Sequence, residues 1–114
     1  MEIFESKANQ VLVLAFKGRL DASTAAVAQE KLLGSIKSGE TRLLADLSEL
    51  TYISSAGLHV FMAAAKQLKG VHGKLAICSL SEPIKQLFEI AGLRPLFAFH
   101  ASRGEALKSL NEGV

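Results

Sequence analysis

A chain of 114 residues, 49 % apolar and 21 % charged, has the size and apolar content of one domain with a real core, and its balance excludes disorder as the default. The formal net charge is only +2, with lysines and arginines spread along the chain, which argues against a nucleic-acid footprint. No basic segment leads into an apolar core at the start, and no apolar run approaches the roughly 18 residues of a membrane span, so the expectation is a cytoplasmic protein without signal peptide or membrane anchor.

A short first strand is predicted over Ile3–Ser6. A stronger one covers Gln10–Lys17, where Val11, Leu12, Val13, Leu14, Ala15 and Phe16 form a run buried on both faces. Gly18-Arg19-Leu20-Asp21 then breaks the strand and delivers the chain to a helix capped by either Asp21 or Ser23. That helix runs to about Lys37, buries Ala25, Leu32, Leu33 and Ile36, and ends at Ser38-Gly39. Arg42–Leu47 is the next strand and Leu58 to about Lys69 the next helix. Gly70 and Gly73 bracket the turn into a strand over Lys74–Cys78, whose lone Cys78 reads as a small buried hydrophobe.

Ser81-Glu82-Pro83 opens a third helix with a cap, an early acid and a proline in its first turn. Its stripe is Ile84, Leu87, Phe88 and Ala91, and Gly92 stops it. Pro95–Phe99 is a last short strand. Ser102-Arg103-Gly104-Glu105 is a capping box for a final helix carrying Ala106, Leu107 and Leu110. Two strands followed by alternating helices and strands imply an α/β fold: a mixed sheet, parallel over its βαβ part, with an antiparallel opening pair and helices packed against it. No linker, repeat or low-complexity segment divides the chain, so residues 1–114 are read as one domain.

The most informative stretch is Asp46-Leu-Ser-Glu-Leu-Thr-Tyr-Ile-Ser-Ser-Ala-Gly-Leu58. In parallel architectures functional groups collect at the carboxyl ends of strands. Asp46 and Ser48 are expected at such an end, with Ser54 and Ser55 opening the following helix. One reading is structural: Ser54 caps the helix and Ser55 is a small first-turn residue. The other is a site for a phosphate, which the free N–H groups and the dipole of a helix N-terminus favour. Leu58, Phe61, Met62, Ala65 and Leu68 complete a core stripe, which leaves Val60, Ala63 and Ala64 over. These form either an exposed docking patch or a second buried layer.

Other chemistry is poorly supported. Asp46, Ser55 and His59 are the residue types of a hydrolytic triad, but there is no Gly-x-Ser-x-Gly elbow and little chain from which to build a cleft. His59, His72 and His100 have no companions at metal spacing, and no phosphate-cradling glycine motif is present. No catalytic residue, metal or cofactor is expected.

Gly18-Arg-Leu-Asp21 followed by Asp46-Leu-Ser48 and Tyr52-Ile-Ser-Ser-Ala-Gly-Leu58 resembles the STAS domain of bacterial anti-sigma factor antagonists, and the likeness extends over nearly the whole chain. The resemblance implies a mixed sheet of four to five strands flanked by about four helices. It also implies partner switching. The unphosphorylated protein binds an anti-sigma factor, often a serine kinase with a histidine-kinase-like ATPase fold, and a PP2C-type phosphatase reverses the phosphorylation that breaks this complex. In the best-known members the acceptor hydroxyl directly precedes Gly-Leu, where this chain has Ala56. The implied acceptor is therefore Ser55, with Ser54 second. Asp21 and Asp46 are candidate groups for orienting that hydroxyl or the kinase's Mg·ATP. The implied contact surface comprises Gly18, Asp21, Asp46, Ser54, Ser55, Ala56, Gly57, Leu58, His59 and Ala63. The alternative within the same family is an unphosphorylated scaffold or subunit, of a stressosome or a lipid-transport ABC system.

Overall fold

A computed structural model describes residues 1–112. Its elements in chain order are β1 (Glu2–Ala8), β2 (Val11–Leu20), α1 (Ala25–Lys37), β3 (Arg42–Ile53), α2 (Ser55–Gly70), β4 (Lys74–Cys78), α3 (Glu82–Ile90), a 3₁₀ turn (Arg94–Leu96), β5 (Ala98–His100) and α4 (Arg103–Glu112). The strands form one mixed sheet in the order β1-β2-β3-β4-β5. β1 and β2 pair antiparallel, and every later pair is parallel.

This order fixes where the helices go. βαβ crossovers follow a right-handed rule, and here each step moves one strand in the same direction across the sheet. All three crossover helices must therefore cover one face. The core on that face joins Leu12, Leu14 and Phe16 of β2 and Leu43, Ala45 and Leu47 of β3 to Leu32 of α1, Phe61 of α2 and Phe88 of α3. Phe16, Phe61 and Phe88 continue into Phe97 and Phe99 as a row of tilted and edge-to-face rings with centroids 5.5–6.1 Å apart. The opposite face carries Val11, Val13, Leu44, Ala76 and Cys78, and among the described residues α4 covers it, through Ala106 and Leu110.

Both central strands run further than their sequence suggests. β2 does not break at Gly18: it passes through two register shifts, after Ala15 and after Gly18, and stays paired to β3 as far as Leu20. Gly18 adopts φ +105° within a strand that continues, and the extra residues of both shifts lie on β3: Asp46 to Glu49 spans three steps against two on β2, and Leu50 to Tyr52 two against one. β3 likewise continues past Leu47 to Ile53. Beyond Asp46 it projects past β4 and its strand pairing is with β2.

Several local expectations shift with the packing. Thr24, not Asp21 or Ser23, is the N-cap residue of α1. Its buried positions are Ala28, Leu32 and Ile36, whereas Ala25 and Leu33 are half-buried. In α2, Val60 and Ala64 are 2 % and 0 % exposed, so they are core residues and not a free patch; Met62 and Ala65 are half-buried. α3 buries Ile84 and Phe88, but Leu87 and Ala91 face solvent beside Ile90, which is 82 % exposed. The predicted strand over Pro95–Phe99 divides into the 3₁₀ turn, which takes up Pro95, and β5. At α4, the Glu105 amide donates to Ser102 Oγ at 3.2 Å, the forward half of a capping box.

Candidate functional site at the start of α2

The junction between β3 and α2 is one residue long. Ile53 ends the strand, Ser54 caps the helix with extended backbone, and Ser55 is its first residue. Three bonds hold Ser54 in place. Its amide donates to the Leu20 carbonyl at 2.9 Å, its carbonyl accepts from Leu58 N at 2.9 Å, and its Oγ accepts from Gly57 N at 3.3 Å. The last of these satisfies one of the unpaired donors of the helix start. Ser55 is exposed, whereas Ser54 is half-buried.

Gly57 explains how the helix can start so close to the sheet. A Cβ there would lie 2.8 Å from Ile53 Cγ1, 2.8 Å from Leu20 Cγ and 3.0 Å from the Leu20 carbonyl. Only a residue without a side chain lets the first turn of α2 rest on the ends of β2 and β3. Leu58 then closes over the same core.

The end of β2 lies directly alongside. Leu20 pairs with Ile53, and Thr51 Oγ1 donates to the Gly18 carbonyl at 3.0 Å. Arg19 stacks on the Tyr52 ring, 4.3 Å from its centroid, and approaches Asp21 Oδ2 at 3.7 Å. Asp21 accepts at Oδ1 from the Ser23 hydroxyl (2.7 Å) and the Ser23 amide (3.0 Å). The Ser23 hydroxyl bond is the chief reason the Asp21 carboxyl sits below its ordinary pKa. Asp21 therefore borders the turn with its carboxylate committed to its own loop.

Asp46 does not belong to this cluster. β3 continues well past it, and its side chain points to the other face of the sheet, under α4. There it is 8 % exposed, with Oδ2 accepting from Arg103 Nε at 2.9 Å and within 2.7 Å of Arg103 Nη2. Oδ1 accepts from the Ser48 amide at 3.0 Å. Burial alone would push this carboxyl up; the Ser48 amide and the Arg103 guanidinium outweigh it and hold the group below its ordinary value. Neither orientation of the turn hydroxyls nor an Asp46–His59–Ser55 triad is available to a carboxylate so placed. Cys78 is buried in the same layer, and burial pushes its thiol up.

Along α2, Ser55, His59 and Ala63 succeed one another at one-turn spacing: the first two exposed, the third half-buried. Ala56, His59 and Val60 also line a shallow groove whose other wall runs along α1 from Ala25 to Lys37, with Ala22 just ahead of it. Sequence reasoning missed the contribution of α1, although the small-residue run Ala22–Ala28 marks a helix that another surface can approach closely. It also gave no role to Tyr52, which nothing in the local pattern pairs with Arg19. Among the described residues, no group of three His, Cys, Asp or Glu is placed to hold a metal ion, and no helix is long and apolar enough to cross a membrane.

The sequence profile of the STAS domain matches residues 6–106. A candidate anti-sigma factor antagonist of Bordetella bronchiseptica, BtrV, is 35 % identical over 106 residues, covering 93 % of this chain and 91 % of its own. Among solved structures, an anti-sigma factor antagonist candidate from Thermotoga maritima superposes with a TM-score of 0.91 at 17 % identity, over 96 % of this chain and 94 % of that one. The Bacillus cell-fate determinant SpoIIAA, in its phosphorylated form, superposes with a TM-score of 0.75 at 20 % identity, over 95 % of this chain and 98 % of that one. With its profile match spanning most of the sequence and its strands and helices in the same arrangement, this chain belongs to the STAS domain family.

Proposed function

We propose that this domain is a cytoplasmic anti-sigma factor antagonist, switched by phosphorylation of Ser55. The observation that carries the assignment of the acceptor is the contrast between the two serines. Ser54 Oγ is engaged by the Gly57 amide and half-buried, whereas Ser55 is exposed at the first position of α2. A kinase can reach Ser55 without undoing the helix cap. The names borne by BtrV and by the Thermotoga protein, and the phosphorylated form of SpoIIAA, support the same reading.

The unmodified domain presents the ridge Ser55, Ala56, His59 and Ala63, the adjoining α1–α2 groove, and the Gly18–Asp21 edge to an anti-sigma factor. That partner is a serine kinase with a histidine-kinase-like ATPase fold; a PP2C-type phosphatase restores the unmodified state. The domain supplies a hydroxyl and a surface, and the partners supply the catalysis. The whole chain acts as one domain.

Phosphorylation adds about −1.5 to −2 charges. At a helix N-terminus this charge is tolerated or stabilising, because free N–H groups and the dipole favour an anion. Against a partner surface the same charge is partly desolvated and costs several kcal/mol, enough to change affinity by orders of magnitude. The switch therefore acts on binding and leaves the fold intact.

Phosphopeptide mass spectrometry on protein taken from its native cell, with Ser55→Ala alongside, tests this. One phosphate on Ser55, together with capture of an ATPase-fold partner by the unmodified protein and not by Ser55→Glu, is the expected result. A phosphate on Ser54 alone moves the acceptor. Absence of phosphate under all growth conditions, with capture unaffected by Ser55→Glu, replaces the switch by a permanent scaffold.

A further inference from the structure

At the far end of α2 from Ser55, the start of β4, the 3₁₀ turn and α4 enclose a shallow trough of about 880 Å³. Four basic side chains line it: Lys66 and Lys69 from the last turns of α2, His72 from the turn, and Lys74 from β4. No described acidic residue lines it. The five ion pairs among the described residues use Lys7, Arg19, Lys31, Arg94 and Arg103, and none involves Lys66, Lys69 or Lys74. Two lysines near a helix C-terminus are ordinary, since they suit the dipole. His72 and Lys74 lie beyond the helix and have no such explanation, yet they border the same depression.

The floor is apolar. Leu75, Phe97 and Leu110 form it, each with only a few per cent of its surface accessible, and Leu96, 44 % exposed, stands on the rim. A recessed apolar floor within a basic rim calls for an occupant with both characters: apolar side chains to fill the trough and carboxylates to meet the lysines. A flat anionic bilayer would satisfy the rim but could not reach the floor. A single small anion would leave most of the volume empty.

We propose that this trough is a second docking surface, and that it takes an acidic amphipathic segment of a partner protein. Apolar residues of that segment, spaced at helical intervals, pack on Leu75, Leu96 and Phe97, while its Asp and Glu side chains pair with Lys66, Lys69 and Lys74. The nearest α2 residue lining this surface, Ala65, lies ten residues beyond Ser55, roughly 15 Å along the helix. A partner here and a partner at the serine turn can be held at once, so the proposal is independent of whether Ser55 is phosphorylated.

The test titrates the isotope-labelled full chain with a synthetic helical peptide carrying Leu at every third or fourth position and Glu between, while amide shifts are followed by NMR. Shifts are expected at Lys66, Lys69, His72, Lys74, Leu96 and Phe97, with the Ser54–His59 amides unmoved. Affinity should fall by about tenfold or more in the Lys66→Glu/Lys69→Glu/Lys74→Glu variant, three substitutions of exposed residues that leave the remaining spectrum unchanged. Leu96→Ser, which alters the rim without altering charge, should weaken binding several-fold. The proposal is overturned if the peptide causes no shifts in the trough, or if charge reversal leaves its affinity unchanged. It is equally overturned if a Lys-for-Glu version of the peptide binds as well, or if the protein binds phosphatidylglycerol vesicles through these lysines while ignoring the peptide.

Discussion

The two faces of the sheet are closed in different ways. On one, three crossover helices are obliged by topology to lie side by side, and the layer between is apolar from Ile3 to Phe99, with a row of phenylalanines along it. On the other, α4 covers a smaller layer among the described residues, with the Asp46–Arg103 pair at its edge. The first face holds the larger apolar core. The second holds a smaller one, closed partly by a polar contact that depends on pH.

The largest effect should come from Phe61→Ala, which empties the middle of the aromatic row and should cost about 3–5 kcal/mol in a denaturant titration. Leu110→Ala, a smaller truncation beneath α4, should cost about 2–3 kcal/mol. Equal costs would break the distinction between the faces. Arg103→Ala should lose about 1–2 kcal/mol by leaving Asp46 without its cation, reduced from a fully buried case because Arg103 is 44 % exposed. Here pH sharpens the contrast. Because the folded Asp46 pKa is depressed below 3.8, its contribution is fully present above that value and is lost as pH falls below it towards the folded pKa. Wild type should thus lose part of its stability in acid that Arg103→Ala does not, and Phe61→Ala should lose as much as wild type. The smallest effect is expected at the serine turn: Ser54→Ala removes a cap and should cost about 1 kcal/mol, measured by the same titration.

The order of elements was legible because each helix has a punctuated start or stop and each strand a compact apolar run. The serine turn was legible because Ser54-Ser55 precedes an apolar helix. What escaped was register. In the tail of β3 the buried residues are Leu47, Leu50 and Ile53, a spacing of three that matches neither a flat strand nor a helix. The extra residues that β3 itself carries against β2, one between Asp46 and Glu49 and one between Leu50 and Tyr52, produce that spacing, and they become apparent only when both strands are seen together. Taking β3 to end at Leu47 put Asp46 at the site; continuing it puts Asp46 under α4. Val60 and Ala64 escaped for a related reason. Their burial depends on α1 lying beside α2, which a helix read alone cannot reveal.

The strand order, running from β1 to β5 without reversal, has a further consequence. Open α/β sheets commonly bind small molecules where successive crossovers turn to opposite faces and the loops between them part into a crevice. Here the crossovers after β2, β3 and β4 all turn the same way, so no such parting occurs. From β2 to β3 the carboxyl ends of the strands instead carry the one-residue serine turn and the Leu20–Asp21 edge side by side, which offers a partner edges and side chains to grip. New specificity can evolve by changing what this margin displays while the winding beneath it stays the same.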